Sequence, residues 1–189
     1  MSLARVTPLT LWGHAAEAVV LAAKVREDTA LTHPAPAAGE AAAVLAVVLH
    51  SLLQGTSARA AVDAAHAFAR RGGFSREVID AVASPAPRAN GRPLDARGVL
   101  HIALAALLSE ESLEEATLSA ITADRASDAL PSVVGSLLGA RLGRDGIPER
   151  IRTLVLSCRP IDGLAPRPRP AAYWATDAMA MAEALLVVR

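Results

Sequence analysis

The segment Thr122–Gly143 reads TADRASDALPSVVGSLLGARLG, and its second half decides how the chain is interpreted. Gly135, Gly139 and Gly143 recur every fourth residue, so on a helix all three lie near one face. Glycine inside a helix costs about 1 kcal/mol relative to alanine. The repetition therefore predicts a helix that approaches another backbone closely. The acidic stretch before it, which contains Asp124 and Asp128, is either a simple helix-breaking turn or a ligand site.

The composition predicts an all-α protein. Hydrophobic residues make up 52% of the chain but aromatic residues only 3%, so the core must be built mainly from alanine, leucine and valine. Such small and aliphatic side chains let helices pack closely. The 189 residues suit one domain, residues 1–189, with a sizeable core. No alternating pattern typical of strands and no regular repeat is present.

Charge and cysteine content exclude several classes of function. The chain has 19 basic and 19 acidic residues, so no general attraction to nucleic acid or to an anionic membrane is expected. The single cysteine, Cys158, excludes an intrachain disulfide and a cysteine-rich metal site. The N-terminus lacks the pattern of a secretory signal, and apolar runs such as Ala41–Leu49 fall short of the roughly 18 residues of a membrane span. We therefore expect a cytoplasmic protein that does not insert into membranes.

Helix boundaries follow from proline, glycine and capping residues. Ser57 and Ser75 are predicted N-caps, and Ser112-x-x-Glu115 has the form of a capping box. The prolines in Thr29–Pro36 predict a break in the helix pattern. The predicted helical segments are Pro8–Gly13, His14–Val25, Ala37–Gln54, Ala58–Arg71, the segment after Ser75 through Ala83, Gly98–Leu108, Leu113–Ala123, Ala129–Gly143, Pro148–Leu156 and Tyr173–Val188. Ser84–Arg97 and Arg159–Pro170 are predicted surface loops.

Three stretches, taken in order, resemble the ADP-ribosylglycohydrolase family of all-α hydrolases. SLARVTPLTL at Ser2–Leu11 is similar to the end of a family segment, with Ala4 in place of its methionine. LTHPAPAAGEAAA at Leu31–Ala43 resembles the family's Thr-His-Pro turn and the alanine-rich helix after it. The third, VVGSLLGARLGRDGIPE at Val133–Glu149, resembles its C-terminal helix. The resemblance implies a compact, multi-helix orthogonal bundle that is a shortened form of the family's fold.

The same resemblance shows which metal motifs are missing. Family members hold two divalent ions with a Thr-Asp-Asp motif near the N-terminus and an Asp-x-Asp-Thr motif before the glycine-spaced helix. This chain contains no Thr-Asp-Asp triplet, and we expect it to begin after that motif. At the second motif it has Ala126, Ser127, Asp128 and Ala129, of which only Asp128 matches. Because magnesium needs about six oxygen ligands, we expect no resident metal or other cofactor unless a partner chain supplies the missing ligands.

The resemblance also nominates candidate ligand-binding residues. His33 aligns with the family's Thr-His-Pro histidine near the ADP-ribose site, although it can equally be a turn histidine bonded to local backbone. Arg5 aligns with a motif arginine and is a candidate for binding phosphate; the alternative is a solvated side chain. Asp128 can contact a ribose hydroxyl or cap the helix that follows. Asp124 and Ser127 lie close enough in sequence to reach the same place, although neither is at a family ligand position.

Three functions remain open at this point. The chain binds or acts on an ADP-ribose-like compound without two-metal catalysis, in which case any reaction is hydrolysis of an N- or O-ribosyl bond. Alternatively, it is one half of a two-chain ADP-ribosylglycohydrolase. The third possibility is a non-catalytic interaction protein that dimerises through apolar faces exposed by the loss of N-terminal helices.

Overall fold

The regular structure is entirely helical in the computed structural model, which describes residues 2–86, 94–123 and 128–187. These residues contain no strand, which confirms the predicted all-α class. Short 3₁₀ turns lie at Ser2–Arg5, Ala171–Tyr173 and Ala175–Asp177. The α-helices are α1 (Val6–Trp12), α2 (Ala18–Ala30), α3 (Pro36–Leu53), α4 (Ala58–Arg71), α5 (Arg76–Ala83), α6 (Ala96–Leu108), α7 (Leu113–Ala123), α8 (Ala129–Gly146), α9 (Glu149–Ser157) and α10 (Ala178–Val187).

Helix α3 forms the centre of the core. Every residue from Gly39 to Leu49 is buried, and α1, α2, α4, α6 and α8 all pack against it. Alanine and valine occupy most of these positions, and their small volume lets the neighbouring helices approach. With 18 residues and a mean hydropathy of 1.6, α3 is long and apolar enough to cross a membrane, but 67% of it is buried inside the fold. Its apolar character is explained by its place in the core.

Several predicted boundaries are confirmed. Helix α4 begins after Ser57, whose Oγ accepts a hydrogen bond from the backbone N–H of Ala60 at 3.4 Å. The capping box before α7 is complete, because Ser112 Oγ accepts from the Glu115 N–H at 3.2 Å and Glu115 Oε2 accepts from the Ser112 N–H at 3.0 Å. These reciprocal bonds satisfy donors that the first helical turn leaves without partners.

The largest differences from the predicted helix boundaries are in α2 and near the C-terminal end of the described residues. Helix α2 begins at Ala18 and continues to Ala30, through the start of the predicted break. Proline restricts only the residue directly before it, so Pro34 does not prevent Thr29 from being helical. Thr29 is also 1% exposed and belongs to the buried face of α2. At the other end of the chain, the helix predicted to begin at Tyr173 begins only at Ala178, after 3₁₀ turns at Ala171–Tyr173 and Ala175–Asp177; the predicted last residue, Val188, lies outside the described residues.

Ser75 lies directly before α5, as predicted, but its hydroxyl does not cap the helix. Its Oγ donates instead to Oε2 of Glu40, and its backbone N–H donates to the same oxygen at 2.9 Å. Glu40 is 8% exposed and lies 35 residues away on α3. A buried carboxylate on the central helix therefore anchors the start of α5.

The prediction that the glycines of α8 allow a close backbone approach is wrong. Among the described residues, a Cβ atom at Gly135 would meet no heavy atom within 4 Å, and at Gly139 the nearest is Ile147 Cδ1 at 3.9 Å. Gly143 leaves the helical conformation, with φ of 69° and ψ of 176°, and bends the end of α8. A side chain rarely tolerates that φ, which explains this one glycine. Helix α8 joins the core through its other face, with Leu130, Val133, Val134, Leu137 and Leu138.

Candidate functional site

The guanidinium of Arg5 connects the first turn of the chain to the end of α2. Its Nη2 donates to Asp28 Oδ2 at 3.0 Å, to the Asp28 carbonyl oxygen at 3.1 Å and to Thr32 Oγ1 at 3.2 Å. The side chains of Arg5 and Asp28 are 45% and 40% exposed. Because the ion pair is in contact with water, it contributes little to stability, but it fixes the position of the guanidinium.

His33 joins this arrangement through Thr32. The Thr32 hydroxyl lies 2.9 Å from His33 Nδ1, and the His33 backbone N–H donates to the Thr29 carbonyl at 2.9 Å. Arg5 and His33, which are 28 residues apart in sequence, are therefore linked by one threonine hydroxyl. We call Arg5, Asp28, Thr32 and His33 the Arg5 cluster. Sequence reasoning nominated Arg5 and His33 as ligand-binding residues. Thr32 was recognised only as part of the Thr-His-Pro turn, and Asp28 belongs to none of the three family-like stretches.

The Arg5 cluster retains unused hydrogen-bonding capacity. All of the side-chain bonds of Arg5 to the described residues come from Nη2, which leaves Nε and Nη1 with no partner there. His33 uses Nδ1, and its Nε2 has no partner within the same residues. A guanidinium carries five N–H donors in a planar fork that matches carboxylate and phosphate oxygens. The cluster can therefore accept an oxyanion beside an imidazole nitrogen.

Asp128 is not part of the hydrogen-bonded Arg5 cluster. It is exposed and directly precedes α8, yet its carboxylate makes no capping hydrogen bond, so its interpretation as a side-chain cap is wrong. Its carbonyl oxygen accepts from Ser132 Oγ at 2.7 Å. Two turns further along α8, Ser136 Oγ accepts from Thr7 Oγ1 at 2.9 Å, about 12 Å along the helix axis from Asp128. No hydrogen bond or ion pair within the described residues joins the Asp128 side chain to Arg5 or His33, while Asp124 and Ser127 lie outside those residues.

The described residues do not fit the two-metal site that the family resemblance implies. No group of three or more His, Cys, Asp or Glu side chains in this part of the chain is arranged to hold a metal ion. Among the described residues at the start of α8, Asp128 offers a carboxylate as a metal ligand. The nearby Ser132 hydroxyl already donates a hydrogen bond to the Asp128 carbonyl oxygen. A hard divalent ion needs several oxygen ligands, so this donor set is insufficient.

Two carboxylates at helix caps, Asp95 and Glu115, have lowered pKa values. Burial acts to raise the pKa of Asp95, but hydrogen bonds from Arg97 and from the Gly98 N–H, with the charge of Arg97, outweigh it and lower that pKa. The pKa of Glu115 is lowered by hydrogen bonds from the Ser112 hydroxyl and N–H. Both groups stabilise helix N-termini.

The fold is all-α, and the Arg5 cluster places a guanidinium and an imidazole on either side of one threonine hydroxyl. The model of the ADP-ribosylglycohydrolase family matches residues 1–186, nearly the whole chain, and the chain therefore belongs to the ADP-ribosylglycohydrolase family. Membership supports an ADP-ribosyl-hydrolase-like function. No curated protein matches the chain significantly.

Proposed function

We propose that this protein binds an ADP-ribose-like compound at the Arg5 cluster and does so without two-metal catalysis. The observation that carries the proposal is the link from Arg5 through Thr32 to His33, which leaves Nε and Nη1 of Arg5 and Nε2 of His33 without partners in the described residues. These atoms belong to the side-chain types that hold phosphate and sugar oxygens.

Each member of the cluster has a definite role in this proposal. Nε and Nη1 of Arg5 donate to a phosphate group of the ligand, since charge-assisted bonds of this kind are stronger than neutral ones. Asp28 and Thr32 hold Nη2 and so orient the guanidinium. When the Thr32 hydroxyl donates to Nδ1, neutral His33 carries its proton on Nε2 and donates it to a ribose oxygen.

The proposal includes no metal ion because the sequence lacks most of the residues that hold metal in the family. The sequence has no Thr-Asp-Asp triplet, and Asp128 is the single match to the second motif. We therefore expect ligand binding to be the same with magnesium and with a chelator, and we derive no hydrolytic step through a metal.

Calorimetric titration of the protein with ADP-ribose, NAD and nicotinamide riboside tests the proposal. Arg5→Gln should weaken ADP-ribose binding about tenfold or more, because it removes charge-assisted bonds. The same change should leave nicotinamide riboside almost unaffected, since that ligand has no phosphate. His33→Phe should weaken all three ligands. Arg76→Gln is the matched control, because Arg76 is also an exposed arginine paired with an aspartate, Asp80, at 3.6 Å.

Two results would contradict the proposal. One is the absence of heat with all three ligands at millimolar concentration, provided that the protein is folded. The other is magnesium-dependent release of ADP-ribose by the chain alone, which would show that the missing ligands are not needed. An equal loss of affinity in Arg5→Gln and Arg76→Gln would remove the assignment to the Arg5 cluster.

We infer a second candidate function, association with a second copy of the chain, from the outer face of α1 and α2. Trp12, Val20 and Leu31 are 50%, 49% and 81% exposed, and all three line a cavity of about 590 Å³. Asp28 of the Arg5 cluster lines the same cavity, so an interface here adjoins the proposed ligand site. Exposed apolar patches of this kind are typical of interaction surfaces.

Sedimentation equilibrium tests this second candidate. A dimer that Leu31→Glu converts into a monomer, while Leu164→Glu in the exposed segment after α9 has no effect, would support it. A wild-type monomer would contradict it.

The two-chain alternative predicts a different result. A separately encoded N-terminal half should bind this face and confer metal-dependent hydrolysis. A genome that encodes no such half would remove that alternative.

A further inference from the structure

A second cavity, unrelated to the Arg5 cluster, lies between α7, α8 and α9. Its volume is about 630 Å³, within the range of roughly 300–1,000 Å³ that small-molecule sites occupy. The start of α10 also borders it. Its walls are mainly aliphatic and include Leu113, Leu118, Ile121, Ile151, Val155 and Met179.

This cavity leaves apolar surface in contact with water. Leu118, Ile121 and Val155 are 60%, 49% and 50% exposed. Gly135 also lines the cavity, and a Cβ atom at that position would meet no heavy atom of the described residues within 4 Å. Packing between helices therefore does not require glycine at this position, and its missing side chain leaves space inside the cavity.

The rim of the cavity carries positive charge. Arg144 and Arg152 both line it, and Arg152 Nη1 donates to the Arg144 carbonyl oxygen at 3.2 Å. Neither guanidinium lies within ion-pair distance of a carboxylate in the described part of the chain. Glu114, an acid that also lines the cavity, is already paired with Arg150. Two cationic groups therefore line an apolar cavity, and neither has an ion-pair partner among the described residues.

We propose that this cavity binds a single-chain amphiphile with a carboxylate head, namely the anion of a medium- or long-chain fatty acid. The carboxylate pairs with Arg144 and Arg152, and the alkyl chain covers the exposed parts of Leu118, Ile121 and Val155. Charge complementarity selects an anionic head over a cationic one, while the aliphatic walls select an alkyl chain over a polar ligand.

Calorimetric titration of the whole protein with decanoate, dodecanoate and tetradecanoate, each below its micelle concentration, tests the proposal. The dissociation constant should fall about fourfold for each added methylene group that the cavity buries. Dodecyltrimethylammonium, which has an alkyl chain of nearly the same length as that of dodecanoate and the opposite charge, should bind about tenfold more weakly or worse. Equal binding of the anionic and cationic amphiphiles, or an affinity independent of chain length, would overturn the proposal.

Two variants and one control test whether dodecanoate binds inside this cavity. Gly135→Leu should abolish dodecanoate binding by filling the space, while the helix is retained because leucine is a better helix former than glycine. The double change Arg144→Gln and Arg152→Gln should weaken dodecanoate about tenfold or more. Arg71→Gln, an exposed arginine outside the cavity, should change nothing.

The arginine variants keep the test decisive if Gly135→Leu does not fold. Unchanged dodecanoate binding in the double arginine variant would overturn the proposal. A dimer that Gly135→Leu dissociates, in a protein that binds no fatty acid, would assign the cavity to a second copy of the chain and would equally overturn it.

Discussion

The helices up to α8 and the chain after Pro148 differ sharply in burial although both are rich in apolar residues. The first region contains the contiguous core, with Val44, Leu45 and Leu100 completely buried. In the second region, α9, the two 3₁₀ turns and α10 contain no buried residue. Leu154 on α9 is 58% exposed. Apolar composition therefore does not determine burial; the number of helices that surround a segment does.

The two regions also hold the two proposed sites differently. The Arg5 cluster is built only from the first region, where the buried faces of α2 and α3 fix its position. The cavity proposed to bind a fatty acid is lined by both regions: α7 and α8 form one wall, and α9 forms the other. We therefore expect a rigid ligand site at Arg5 and an adaptable one beside α9.

The largest expected effect on stability comes from truncating a leucine side chain, and the two regions should respond differently to it. Leu45→Ala should lower the free energy of unfolding by about 2–5 kcal/mol, because it opens a cavity in a fully buried layer. Leu154→Ala should change it by less than about 0.5 kcal/mol. Urea unfolding followed by circular dichroism measures both. Similar losses for the two variants would show that the second region is packed as tightly as the first.

Removing the buried carboxylate of Glu40 should have the next largest effect. Glu40→Ala leaves the Ser75 N–H without its acceptor and should cost about 1–3 kcal/mol in urea unfolding. Glu40→Gln keeps an acceptor oxygen and should cost less. Glu183→Ala on exposed α10 serves as the control and should be nearly neutral. If Glu40→Ala were also neutral, the contact between α3 and α5 would contribute nothing.

A smaller effect is expected at Asp95, which caps α6 by accepting from the Gly98 N–H at 2.9 Å. Asp95→Ala should cost about 1 kcal/mol at neutral pH. Since the pKa of Asp95 is lowered in the folded protein, the charged carboxylate stabilises the fold above the unfolded pKa, and this contribution is lost as pH falls through the folded pKa.

The difference between wild type and Asp95→Ala should therefore be constant at neutral pH and shrink below about pH 4. Unfolding curves recorded across this range measure it. Asp95→Asn, which retains a capping oxygen, should recover much of the loss at neutral pH. A difference that grows on acidification would contradict the assigned direction.

The smallest effects concern the glycines of α8. Gly135→Ala should stabilise the protein by about 0.5–1 kcal/mol, because the added Cβ has space and alanine favours the helix. Gly143→Ala should destabilise it by about 1 kcal/mol, because its φ is 69°. Thermal unfolding of both variants measures the two shifts. If Gly135→Ala lowered the stability, the prediction that Gly135 allows a close approach of another helix would be supported after all.

Rules that act within a few residues predicted much of the fold. The capping box at Ser112, the cap at Ser57 and the start of α9 after Pro148 follow from neighbouring residues alone. Ser75 shows where this fails, because its acceptor is a carboxylate 35 residues away. Gly135 is a second example. The glycine spacing predicts a helix face without side chains, but it cannot show whether another helix packs against that face.

The candidate site was predicted in part for a related reason. Arg5 and His33 were identified by resemblance to family motifs, and the structure links them. The roles of Asp28 and Thr32 were not predicted, because their partner Arg5 lies 23 and 27 residues earlier in the sequence. Asp128 shows the reverse case: its position before α8 was right, but position alone did not reveal that its carboxylate makes no cap.

The central position of α3 has a further consequence for the order of folding. Its most extensive contacts are with α2 and α4, its neighbours along the chain, and such local contacts require only short loops to close. The bond between Thr7 and Ser136 joins residues 129 positions apart. During synthesis, α2, α3 and α4 can therefore assemble as a unit before α8 has left the ribosome, and the link from α1 to α8 closes the structure afterwards.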